Sequence, residues 1–140
     1  MTITNLLPHR DPFLFVDELQ TVSEEEIVGT RTFRPEEPFF VGHFPEYPVV
    51  PGVILVESMA QCGGAGVREL GVLGDKLFFL ASVNNVKFRR QVRPGDTVTM
   101  TVKNQRISPR MLRQSGVATV NGETVCEAEW MCLVGDAPTS

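Results

Sequence analysis

Histidine and cysteine are scarce in this chain, and that scarcity is the first constraint. Of 140 residues only two are histidine, His9 and His43, and three are cysteine, Cys62, Cys126 and Cys132. An odd number of cysteines with no CxxC spacing argues against a disulfide framework. With so few histidines beside them, a zinc site is not expected. No basic segment followed by an apolar one opens the sequence, so no signal peptide is expected. Reduced thiols and the missing export signal together point to the cytoplasm. Positive charge is not in excess either. The formal net charge is −4, and nothing global suggests a nucleic-acid partner. The sequence has no internal repeat, linker or low-complexity stretch, and its length fits one domain over residues 1–140 with a single core.

What the chain does have is one stretch around which the rest is organised, Gly42 to Leu70, GHFPEYPVVPGVILVESMAQCGGAGVREL. Its first part is a loop restricted by Pro45, Pro48 and Pro51, with His43 near its start. Gly52 to Leu70 then reads as a helix. Pro51 suits a first helical position, since its missing N–H has no intrahelical partner there. Gly71 suits the left-handed cap that ends the helix. The first four turns are apolar almost all round, as expected of a helix inside a core. Glu57 near the middle, Gln61 one turn on, and Gly63, Gly64 and Gly66 behind them argue against a membrane span. The glycines are expected where another backbone packs close. Glu57 is the anomaly. A carboxylate on a buried helix is paired, hydrogen-bonded or protonated. Acid–base work and a structural hydrogen bond to a loop backbone are both open readings for it.

Leu14 to Gln20 and Glu26 to Phe33 read as strands joined at Ser23–Glu25, after an irregular lead over residues 1–13. Beyond the helix, Lys76 to Phe88 is a strand with aromatics towards both ends. Arg93–Asp96, RPGD, is a turn. Thr97 to Ile107 alternates and predicts a half-buried strand. Leu112 to Val120 and Glu123 to Val134 follow, joined by Asn121-Gly122, a strong two-residue hairpin signal. Cys126, Ala128, Trp130 and Cys132 share one face of the last strand. One long helix with five or six antiparallel strands predicts an α+β fold, with a sheet wrapped around the helix in the hot-dog manner. Lys87, Arg89, Arg90 and Arg93 form a local basic cluster, followed by Arg106, Arg110 and Arg113. Such a patch receives an acidic partner or simply solvates strand faces and loop tips.

GHFPEYPVVPGVILVESMAQ resembles the signature of the 3-hydroxyacyl-acyl-carrier-protein dehydratases of bacterial type II fatty acid synthesis, the FabZ type. LPHRDPFLFVDEL at Leu7–Leu19 and VKFRRQVRPGDTV at Val86–Val98 extend the resemblance over nearly the whole chain. The chain departs from that pattern at Asp11, where an aromatic residue is common, near Asn84, where an acid is common, and at Ser58, where alanine is usual.

The resemblance implies reversible removal of water from a (3R)-hydroxyacyl thioester to give a trans-2-enoyl thioester. That reaction requires no metal or other cofactor. It needs a base for the proton alpha to the thioester carbonyl, a donor for the charge that builds on the carbonyl oxygen, and an acid for the departing hydroxyl. His43 fits the base, since histidine titrates near neutrality. The Gly52 N–H, nine residues on, is free in the first helical turn and lies at the positive end of the helix dipole. Glu57, five residues further, fits the acid. Gln61 would orient Glu57, and Phe88 would contact substrate or line a core or dimer surface. Lys87, Arg89 and Arg90 would guide the acidic acyl carrier protein. By the same resemblance the active site is shared in a homodimer, with His43 and Glu57 from opposite subunits, and dimers can assemble further into a trimer of dimers. His9 is expected only to order the N-terminal segment. Glu57 rather than aspartate leans away from the double-bond isomerisation of a sister family. The competing readings are a hot-dog thioesterase, a non-catalytic acyl-binding subunit, and the same dehydration in polyketide or aryl-polyene synthesis.

Overall fold

The computed structural model describes residues 2–44 and 46–136. Pro45, one of the three loop prolines, lies outside the described residues. In chain order the elements are α1 (Ile3–Leu6), β1 (Glu18–Val22), β2 (Glu26–Thr32), α2 (Phe39–Gly42) and α3 (Gly52–Leu70). Then follow β3 (Leu77–Phe88), β4 (Thr97–Ile107), β5 (Met111–Val120) and β6 (Glu123–Gly135). The strands form one six-stranded sheet in the order β1-β2-β4-β5-β6-β3, antiparallel at every pairing. α3 lies across one face and touches every strand. The antiparallel sheet with one long central helix is the expected hot-dog architecture.

Side-chain alternation decides which face meets the helix. Val98, Met100 and Val102 of β4, Leu112 and Ala118 of β5, and Cys126, Ala128, Trp130 and Cys132 of β6 are buried against it. The β5–β6 hairpin turns at Asn121 (φ 51°) and Gly122 (φ 82°), the two positive values a two-residue turn of this hand needs. α3 starts and stops where its sequence predicts. Pro51 stands one place earlier than expected, as the N-cap in extended conformation, and Gly52 is the first helical residue. Gly71 (φ 76°) closes the helix and donates its N–H to the Arg68 carbonyl.

Three expectations are corrected. The glycines of α3 meet side chains, not another backbone. A Cβ on Gly63 would lie 2.2 Å from Gln114 Oε1, and one on Gly66 would lie 2.5 Å from Ile27. Gln114 is fully buried, and its amide accepts from Trp130 Nε1 and donates to the Gly63 carbonyl and Asn104. Gly63→Ala is therefore expected to destabilise the fold by about 1–3 kcal/mol, because neither Gln114 nor the strand behind it has room to retreat. An unchanged urea midpoint would refute that packing argument.

The second correction concerns β1, which begins at Glu18 rather than Leu14. Phe15 ahead of it spends its N–H and carbonyl on α3 side chains, not on a strand. The third concerns the first turn of α3, which is not buried: Val53 is 72% exposed, while Leu55 onward packs inward. A single sheet covers one side of the helix, and this turn projects beyond it. Two single-turn helices, α1 and α2, replace parts of segments read as irregular. All three cysteines are buried and unpaired. Burial pushes the Cys62 thiol up to about 12. No helix among the described residues is long and apolar enough to cross a membrane.

Candidate active site

His43 caps the C-terminus of α2, donating its backbone N–H to the Phe39 carbonyl at 3.0 Å. Phe44 then turns the chain back at φ 59°, a left-handed conformation that costs a non-glycine residue about 1–3 kcal/mol. The loop is tied to the β3–β4 connection by the Val50 N–H, 2.8 Å from the Val92 carbonyl, and Tyr47 stacks under Arg93. This path brings the Val49 carbonyl 2.9 Å from His43 Nδ1. A carbonyl only accepts, so a neutral His43 carries its proton on Nδ1 and keeps the Nε2 lone pair free. A base needs that lone pair.

Gly52 is the first residue of α3, and its N–H has no carbonyl one turn earlier to bond. The Phe88 ring packs close against Gly52. A Cβ there would be 2.6 Å from Phe88 Cε1. Phe88 is 55% exposed, at the end of β3. A free backbone donor at a helix N-terminus thus lies beside an exposed aromatic ring.

Among the described residues Glu57 makes no hydrogen bond to a loop backbone. Gln61, one turn on, donates to Glu57 Oε2 at 2.8 Å. The same Gln61 amide donates to the Phe13 carbonyl at 3.1 Å and accepts from the Phe15 N–H at 2.8 Å. A backbone N–H can only donate, so this contact fixes which end of the amide is oxygen and aims the nitrogen at Glu57. Ser58 completes the stitch by donating to the Phe15 carbonyl at 2.5 Å. Its hydroxyl thus ties the N-terminal segment to α3. His9 Nε2 stands 3.6 Å from Glu57 Oε2.

Glu57 lines a cavity of about 320 Å³ between the N-terminal segment, α3 and β3. Its walls are mostly apolar, with Leu7, Ala60, Gly64, Phe78 and Cys132 among them, and Arg68 and Lys76 also line it. Glu57 lies close enough to Cys132 for its charge to add to burial in pushing that thiol up to about 11. The small residues Ala60 and Gly64 follow Glu57 at helical spacing and leave the groove open. The cavity wall includes neither His43 nor Gly52 nor Phe88. Within one chain the structure therefore brings Glu57 and Gln61 together, and brings Gly52 and Phe88 together, while His43 stands apart on its loop.

Arg89 and Arg90 are not free cations. Each pairs at 2.8 Å with a β6 carboxylate, Arg89 with Glu127 and Arg90 with Glu123. Lys87 faces Glu127 across the ladder. Sequence reasoning placed His9 outside the site, and the structure puts it beside Glu57. The pair is 48 residues apart in the chain (57 − 9), so no local signal carries it.

An antiparallel sheet wrapped around one long helix defines a protein of the hot-dog fold, with Glu57 anchored on a mostly apolar cavity. Residues 7–129 match the FabA-like domain. The chain is 42% identical over 139 residues to the 3-hydroxyacyl-acyl-carrier-protein dehydratase FabZ of Geobacillus thermodenitrificans, covering 99% of this chain and 96% of that one. It is also 42% identical over 135 residues to the same-named protein of Solibacter usitatus, covering 96% of this chain and 83% of that one. The chain belongs to the FabA-like family and, within it, to the FabZ dehydratases. Among solved structures, the dehydratase heterocomplex ApeI:P of Xenorhabdus doucetiae superposes with a TM-score of 0.83 at 17% identity, over 99% of this chain and 93% of that one. A hypothetical thioesterase protein from Streptococcus pneumoniae with coenzyme A superposes with a TM-score of 0.65 at 15% identity, covering 87% of this chain and 88% of that one. These last two are likenesses of fold.

Proposed function

We propose that this protein is a hydro-lyase that removes water from a (3R)-3-hydroxyacyl thioester on acyl carrier protein, giving the trans-2-enoyl thioester of fatty acid synthesis. The observation that carries the reading is Glu57, anchored through one oxygen by Gln61 on the wall of an acyl-sized apolar cavity. The near-full-length identity to FabZ dehydratases supports it. His43 Nε2 takes the proton alpha to the carbonyl. Charge building on the thioester oxygen meets the Gly52 N–H at the start of α3, a contact worth about 3–4 kcal/mol in comparable oxyanion sites. Glu57 gives its proton to the hydroxyl, which leaves as water. The proton gained by His43 balances the one lost by Glu57.

The working unit is a homodimer in the cytoplasm. β3 is a long edge strand with Phe79, Leu80, Val83 and Phe88 exposed, and Val53 of α3 is exposed as well. Apolar exposure of this kind on an open edge calls for a covering surface, and a second copy supplies one. It also brings His43 of one chain to Glu57 of the other, which one chain alone does not do. The acidic carrier docks at Lys87, Arg89 and Arg90. The pairs that Arg89 and Arg90 make are exposed and worth about 0–1 kcal/mol each, so an acidic partner displaces them at little cost. Mass spectrometry of a (3R)-hydroxyacyl carrier protein tests the reaction, and loss of water on incubation is the expected result. Release of free acid would move the protein to the thioesterases, and no change would overturn the assignment for that substrate.

A further inference from the structure

Three features of the Glu57 surroundings are not used by the mechanism above. Both nitrogen donors near the carboxylate converge on one oxygen, Gln61 Nε2 at 2.8 Å and His9 Nε2 at 3.6 Å from Oε2. Oε1 makes no hydrogen bond among the described residues. His9 Nδ1 is buried and has no hydrogen-bond partner among them.

The ring's tautomer follows. A proton on Nδ1 would bury an N–H with no acceptor, whereas a bare Nδ1 leaves only an unused lone pair. The neutral ring therefore carries its proton on Nε2, 3.6 Å from Glu57 Oε2. The backbone around His9 is held for this purpose by Arg10, which donates to the Thr4, Leu7 and His9 carbonyls at 3.1, 2.8 and 2.7 Å.

We propose that His9 is a positioning residue for Glu57: its Nε2–H and the Gln61 amide together claim Oε2, so that Oε1 is the oxygen that carries the proton to the departing hydroxyl. With the Gln61 amide bonded to Oε2 at 2.8 Å and the His9 Nε2–H 3.6 Å from that same oxygen, the acid proton falls to Oε1. When that proton leaves, the charge left on the carboxylate meets one donor already bonded, Gln61, and a second, His9, close by. The 3.6 Å separation is an unliganded one, and catalytic hydrogen bonds tighten when substrate binds. The inference rests on the dehydratase reading of the site.

The test uses the full chain and compares His9→Gln with His9→Asn. The glutamine amide nitrogen reaches the place of Nε2, and the asparagine one reaches only the place of Nδ1. His9→Asn should lower kcat by about 10- to 100-fold with KM little changed, the scale of a misplaced catalytic group. His9→Gln should recover most of that loss. Equal losses in both variants, or a loss confined to KM, would overturn the proposal. Nitrogen-15 NMR of the wild-type His9 ring gives a readout that does not depend on turnover. A proton on Nε2 supports the inference and a proton on Nδ1 refutes it. A wild type that leaves the hydroxyacyl thioester intact would remove the dehydratase reading, whatever the NMR shows.

Discussion

Alanine at His43 is expected to lower kcat by about 10²–10⁴-fold, the usual contribution of a positioned general base. The fold should survive the change. His43 is half exposed, and its ring makes one hydrogen bond, to the Val49 carbonyl. Glu57→Gln should cost about as much, because glutamine keeps the Gln61 contact but has no acid proton to give. The informative experiment mixes the two inactive proteins under conditions that let subunits exchange. If each site takes His43 from one chain and Glu57 from the other, a mixed dimer holds one intact site and one doubly defective site. Random reassortment of a two-fold dimer then restores roughly a quarter of wild-type activity. No recovery, in a sample shown to have exchanged subunits, would place both groups in one chain. The shared-site reading would then be wrong.

The elements that carry their own punctuation are the ones the sequence reads correctly. α3 is bounded by Pro51 and Gly71, β4 alternates from end to end, and Asn121-Gly122 sets the last hairpin. Candidate residues were legible where a short motif held them together, as with His43, Gly52 and Glu57. What escaped was long-range. Phe15 resembles a strand residue locally, but its backbone bonds go to Ser58 and Gln61, 43 and 46 residues away. The helix glycines signal close approach, but not that buried Gln114 and Ile27 make it. The aromatic ends of β3 read as core or dimer contacts alike, and in this chain Phe79 and Phe88 are more than half exposed. No window of sequence tells which strand ends the sheet, because β3 lies at the edge only through the long-range pairing order β1-β2-β4-β5-β6-β3.

The largest effect on stability is expected from a residue with no part in the chemistry. Arg31 is buried, with 5% of its side chain exposed, and donates to Glu37 Oε1 at 2.7 Å and to Oε2 at 2.5 Å, and to Asp17 Oδ1 at 3.0 Å. Its guanidinium also lies 5.6 Å from the Phe15 ring centre and 5.2 Å from that of Phe33. Asp17 is half exposed and can turn to water, but only 4% of the Glu37 side chain is exposed. Arg31→Met therefore strands a buried carboxylate, with the Arg34 backbone N–H at 3.2 Å and the Arg34 guanidinium at 3.6 Å left to hold it. Breaking a buried pair from one side costs about 3–5 kcal/mol. With a urea slope of about 1–3 kcal/mol per molar, the unfolding midpoint should fall by more than about 1 M. Arg31→Met with Glu37→Leu removes both charges and should regain most of the loss, since the penalty lies in the orphaned ion. The network is also a brace for the site. Phe15 leads to Gln61 and Ser58 on one side, and Glu37 leads through α2 to His43 on the other. Activity of the single variant should consequently fall even at temperatures where it remains folded. A double variant no more stable than Arg31→Met would show that the cost lies in lost packing of the guanidinium between the two rings, not in the stranded charge.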